Sequence, residues 1–172
     1  MTTSATAQLV PLNIAILTVS DTRDELTDSS GAYLKAQVLA EGHIVVEKKI
    51  LKDELYHIRA LVANWIASED IEVVLITGGT GFAARDSTPE AVRPLFDKTI
   101  EGFGEVFRQV SYQEIGNSTI QSRAVAGLAN GTVIFCMPGS SGACKTAWTS
   151  IIKDQLDSRH KPCNYAALLK AL

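Results

Sequence analysis

Between Ile71 and Pro89 the chain reads IEVVLITGGTGFAARDSTP, and this stretch limits the possible fold more than any other. Val73-Val74-Leu75-Ile76 is short, apolar and mostly β-branched, the pattern of a buried strand. Thr77-Gly78-Gly79-Thr80-Gly81 stops it. Glycine reaches backbone angles that other residues avoid and lets a ligand approach the main chain. Thr88 and Pro89 then read as a helix start, with a hydroxyl at the cap and proline at the first helical position. Strand, glycine loop and helix in this order suit an open α/β sheet, whose ligands bind beyond the carboxyl ends of the strands.

The flanking sequence repeats that alternation. Ile14 to Val19 is a continuous apolar run ending in the polar loop Ser20-Asp21-Thr22-Arg23, as expected of a strand covered on both faces. Asp28, Ser29 and Ser30 precede helical spacing at Gly31, Leu34 and Val38, and Gly42 is placed to end that helix. Ile44, Val46 and Ile50 alternate, which suggests a strand nearer an edge. Asp53 stands before Leu55, Ile58, Val62, Trp65 and Ile66, one stripe of an amphipathic helix that Asp53 is placed to cap. Short helical patterns follow at Pro89 to Phe96 and from Gly102, the latter with Val106, Val110 and Ile115 on its apolar side. A further helix is expected from Ser118 or Thr119 through Ala126, ending near Asn130-Gly131. Thr132 to Met137 is the next strand, running into Pro138-Gly139-Ser140-Ser141-Gly142 and a long helix. Strands alternating with helices predict a largely parallel α/β sheet with helices on both faces.

The chain has 172 residues, enough for one domain with a sizeable core. Residues 13–172 are expected to form it, with 1–12 a loose arm. The net charge of −3 gives no reason to expect nucleic acid or an anionic membrane as partner. No apolar stretch is long enough to span a bilayer, and the N-terminus lacks the features of a secretory signal, so a cytoplasmic protein is expected. Cys136, Cys144 and Cys163 are read as buried thiols in a reducing compartment. The three histidines are scattered, which argues against a zinc site built by the protein.

Ser20-Asp21, Thr77 to Asp86 and Pro138 to Gly142 each follow a strand and so fall on one edge of a parallel sheet. Any one βα loop needs Gly, Ser or Asp for its turn. Three together point to a pocket for phosphate or nucleotide, where main-chain N–H groups and helix N-termini suit anions. Gly79 to Ala84 fits the loose dinucleotide pattern GxGxxA, but it follows the third strand and no acidic residue ends the next one. Gly139 to Thr146 resembles a P-loop with Cys144 where the second glycine belongs, and only anion binding at a helix start is retained. Asp86 is the foremost catalytic candidate: Arg85 beside it can fork a phosphate, and its carboxylate can hold Mg²⁺. Asp53 is its candidate partner from the same edge. For Glu105, Ser122 and Arg123 the plain reading is a solvated helix face, and Lys48, Lys49 and Lys52 read as a solvated strand end.

TGGTG, RDSTPEA, PLFDKTIEGFGEVFR, STIQSRAVAG, NGTVIFCMPGS and ACKTAW together resemble the MoaB/MogA family of molybdenum cofactor biosynthesis proteins, the MoaB branch more than MogA. The resemblance runs from Ile14 to about Asn164. It implies a three-layer α/β/α domain with a mostly parallel central sheet, assembled as a trimer or hexamer. It implies molybdopterin as ligand and, in active members, transfer of AMP from Mg-ATP to its terminal phosphate, with ATP and Mg²⁺ as co-substrate and cofactor. The alternative is a protein that binds or carries the pterin without chemistry. Carried over, Asp53 and Asp86 are the catalytic pair and the Mg²⁺ ligands. Thr77, Gly78, Gly79, Thr80 and Gly81 bind phosphate or pterin, as do Ser20 and Asp21 in the first loop. Glu105, Ser122, Arg123, Pro138, Gly139 and Ser140 match the remaining binding positions. Phe82-Ala83-Ala84 departs from the proline-containing run of MogA-type loops.

Overall fold

A computed structural model describes residues 8–170 of the chain. Six strands form one sheet in the order β2-β1-β3-β6-β5-β4. β1 (Asn13–Val19), β2 (Ile44–Leu51), β3 (Val73–Thr77) and β6 (Thr132–Met137) run parallel, and β5 (Val125–Ala129) and β4 (Lys98–Thr99) continue the sheet antiparallel. The helices are α1 (Ser29–Ala40), α2 (Leu55–Ile66), α3 (Thr88–Val92), α4 (Glu101–Ile115), α5 (Ser141–Ala147), α6 (Lys153–Leu156) and α7 (Tyr165–Leu169). A π turn at Trp148–Ile152 joins α5 to α6, so the long helix expected there is one rod with a wider turn inside it.

Side chains alternate across each central strand and thereby build two cores. Ile14, Ile16, Val73, Leu75, Val133 and Phe135 face α1, α4 and the α5–α6 rod, through Leu34, Phe107 and Trp148 among others. Ala15, Leu17, Val74, Ile76 and Ile134 face α2 and α3, through Ile58, Val62, Trp65, Ala91 and Val92. This is the three-layer α/β/α arrangement. Every residue of β3 is buried.

Four expectations need correction. Residues 118–126 are not one helix: a 3₁₀ segment, Gly116–Gln121, is followed by strand β5. Val106 and Ile115 of α4 are exposed, and the face it buries carries Phe103, Gly104, Phe107 and Ser111. Lys48 is not a solvated strand end; it reaches Asp28 at 2.8 Å and Glu25 at 3.0 Å with its side chain only 11% exposed. Cys163 is exposed, whereas Cys136 and Cys144 are buried. Of the expected arm, residues 1–7 lie outside the described residues. Leu12 is fully buried, and its N–H donates to Nδ1 of His43 at 3.2 Å.

Candidate functional site

Because β1, β3 and β6 are parallel and adjacent, the loops that follow them meet at one edge. The structure joins them tightly. The Gly78 N–H donates to the Met137 carbonyl at 3.0 Å, and the Thr77 hydroxyl, fully buried, donates to the Pro138 carbonyl at 3.1 Å. Gly78 has φ +104°, and a Cβ there would collide with the carbonyl oxygen of Val19, so the first and second loops pack backbone to backbone. No residue with a side chain fits that approach without strain.

These loops floor a cavity of about 780 Å³, in the range of small-molecule sites. Ser20, Asp21, Asp53, Thr77, Gly78, Gly79, Thr80, Gly81, Asp86, Ser122, Pro138, Gly139 and Ser140 all line it. Two residues that the family motif carries over do not. Glu105 is exposed on α4, and Arg123 lies behind the glycine loop, outside the cavity. Ser140 caps α5, its Oγ accepting the Ala143 N–H at 3.1 Å.

The two aspartates meet at the glycine loop. Asp53 does not cap α2; the N-cap position is Glu54, which makes no side-chain cap hydrogen bond. Its Oδ1 instead accepts from the Ser87 N–H at 3.1 Å and the Ser87 hydroxyl at 2.8 Å. Its Oδ2 lies 2.5 Å from the point where Gly79 would carry a Cβ. Asp86 Oδ2 lies 2.7 Å from the corresponding point on Gly81 and accepts the Ala83 N–H at 2.8 Å. A methyl group at either glycine would therefore displace a carboxylate. Asp21 completes the acidic rim: it holds the Asp53 N–H at 3.2 Å and pairs with Arg85 at 3.1 Å. Burial raises the Asp53 carboxyl above its ordinary value, and the Asp86 and Asp21 charges push the same way, against the Ser87 hydrogen bonds.

Among the described residues no group of three or more His, Cys, Asp or Glu side chains can enclose a metal ion. Asp53 and Asp86 nevertheless fit Mg²⁺ brought by a ligand, because that ion keeps water and shares carboxylates with phosphate oxygens. The opposite wall was not anticipated. Phe107, Ser111, Glu114 and Ile115 of α4, with Ser118 and Gln121, face the cavity, and Glu114 accepts from the Thr146 hydroxyl at 2.7 Å. Their spacing of three and four residues is a helical stripe, mixed in polarity, that a search for apolar periodicity passes over.

Fold and cavity define a class: a three-layer α/β/α domain with a small-molecule site at the carboxyl edge of its sheet, floored by glycine loops and flanked by carboxylates. Residues 15–158 match the family model described as "Probable molybdopterin binding domain". The chain belongs to that family, the MoaB/MogA proteins, and sits with its MoaB branch. It is 58% identical over 163 residues to molybdenum cofactor biosynthesis protein B of Escherichia coli (strain K12), covering 95% of this chain and 96% of that protein. A crystal structure of a molybdenum cofactor biosynthesis protein B is similar at TM-score 0.87 and 42% identity, over 95% of this chain and 98% of the other. The tungsten cofactor synthesizing protein MoaB from Pyrococcus furiosus follows at TM-score 0.76 and 38% identity, over 85% and 92%.

Proposed function

We propose that the protein acts in molybdenum cofactor biosynthesis, binding molybdopterin in this cavity and transferring AMP from Mg-ATP to its terminal phosphate. The observation that carries the reading is the convergence of Asp53 and Asp86 on one glycine loop in one cavity. In the reaction a phosphate oxygen of the pterin attacks the α-phosphorus of ATP. The bond from that phosphorus to the bridging oxygen breaks, and pyrophosphate leaves. Such transfers gain mainly from positioning and from stabilising charge on the phosphoryl oxygens. The glycine loop supplies main-chain N–H groups for anionic oxygens. Asp53 and Asp86 would hold Mg²⁺, whose charge offsets that of the polyphosphate. Ser87 fixes one oxygen of Asp53 and leaves the other facing the loop. As in the family resemblance, the working form is proposed to be a trimer or hexamer.

The test is pyrophosphate release from Mg-ATP in the presence of molybdopterin. Asp53→Asn and Asp86→Asn should each lower it at least a hundredfold, and excess chelator should abolish it; each factor of ten is about 1.4 kcal/mol of barrier. Asparagine keeps the oxygen that accepts from Ser87, so the fold should survive the first substitution. Undiminished release in chelator would overturn the metal role. Tight pterin binding without any release would reduce the protein to a carrier.

A further inference from the structure

Arg123 lies behind the cavity floor and is almost fully engaged there. Its Nε donates to the carbonyl oxygens of Thr80 at 3.2 Å and Gly81 at 2.9 Å, and its Nη2 donates to that of Asp86 at 2.8 Å. Its Nη1 meets Glu90, and the guanidinium lies over the Phe82 ring, 5.3 Å from the centroid. One side chain thus grips both ends of the segment from Thr80 to Asp86.

The direction of those carbonyls has a consequence. Among the described residues only the Lys161–Pro162 bond is cis, so the peptides concerned are trans, and each N–H points opposite to its carbonyl. The Ser87 N–H shows this directly: it is opposite the Asp86 carbonyl and donates to Asp53. The Gly81 N–H, opposite the Thr80 carbonyl, has no acceptor among the described residues, and Gly81 lines the cavity. A guanidinium on the carbonyl side also cancels the oxygen dipoles that would repel an anion and strengthens the N–H as a donor.

We propose that Arg123 is a positioning residue: by holding the Thr80, Gly81 and Asp86 carbonyls on the far face, it turns the Gly81 N–H toward an anionic ligand oxygen and sets the Ser87 amide against Asp53. It does not touch the ligand. The inference deepens the proposed function and rests on that reading's placement of phosphate groups at the glycine loop. The fork geometry matters, because lysine keeps the charge but cannot span three carbonyls.

The experiment compares wild type with Arg123→Lys and Glu90→Gln. It measures amide hydrogen exchange without ligand and Mg-ATP affinity by calorimetry. In Arg123→Lys the hydrogen-bonded loop amides, those of Ala83, Asp86 and Ser87, should exchange at least tenfold faster while those of β3 and β6 stay unchanged, which also reports that the domain is folded. Its Mg-ATP affinity should fall tenfold or more. Glu90→Gln should stay within twofold on both measurements. Lost affinity with an unaltered loop would make Arg123 a ligand contact and overturn the inference, as would a loosened loop with full affinity. If wild type binds no Mg-ATP, the parent reading fails together with the binding half, while unaltered exchange in Arg123→Lys would sink the positioning half separately.

Discussion

Asp28 shapes the first loop from outside the cavity lining. Its side chain is fully buried, and it accepts from the Gly31 N–H at 2.9 Å and the Thr18 hydroxyl at 3.0 Å while facing Lys48 at 2.8 Å. Burial alone would raise its carboxyl, but Lys48 and these donors outweigh burial and hold it below the ordinary range. A carboxyl depressed in the folded state stabilises the protein above its unfolded value, and that stability is lost as pH falls through the folded value. Asp28→Asn should therefore cost about 2 kcal/mol near pH 7, the scale of hydrogen bonds to a charged group. Urea unfolding of the two proteins should show the gap narrowing as pH drops below 4, the model-peptide region for aspartate. Asp28 as a cap was legible from its place before a helical pattern. Its ion pair with Lys48 was not, since nothing local in the sequence shows that β2 lies beside the first loop. Asp53 shows the same limit, because only the fold reveals that it faces Ser87 and not its own helix.

Elements with a clean period were legible, and those shaped by a neighbour were not. The α2 stripe buries Ile58, Val62 and Trp65 as its spacing requires. β5, VAGLA, has small residues buried on both faces and therefore no alternation to read. Its composition answers to packing: a Cβ on Gly127 would enter the Phe96 ring. The available clue was Asn130-Gly131, the pair favoured in tight hairpins because both residues adopt positive φ. They do so here, at +46° and +78°, between β5 and β6. Asn130 also donates from Nδ2 to the Ile66 carbonyl at 3.0 Å. Asn130→Ala should lose that bond and force alanine into left-handed backbone, for a total of about 2 kcal/mol. Chemical denaturation should show the midpoint shifted and pyrophosphate release at saturating substrate unaltered, since the turn is at the opposite edge from the cavity.

At the scale of the molecule, the parallel half of the sheet and the meeting of three loops followed from strand and helix order alone. The reversal of direction at β5 did not, and with it went the wall built by α4. No helix among the described residues is long and apolar enough to cross a membrane. Several large apolar side chains remain in water on the free molecule, Tyr112, Ile115 and Ile120 near the end of α4 among them. The proposed assembly predicts that light scattering will return about three or six times the 18.5 kDa chain mass. A monomer at micromolar concentration would remove that part of the reading.

β5 runs against its neighbours, so its amino end, not its carboxyl end, arrives at the ligand edge, and this is why Arg123 can stand under the glycine loop. The opposite pole holds the β5–β6 turn and the ion pair of Lys170 with Glu72 at 2.5 Å. The two poles thus report on different events. A fluorescent label at the turn would register unfolding and stay silent through a titration, whereas one placed at Ala84, in the cavity wall, would brighten or dim as the site fills.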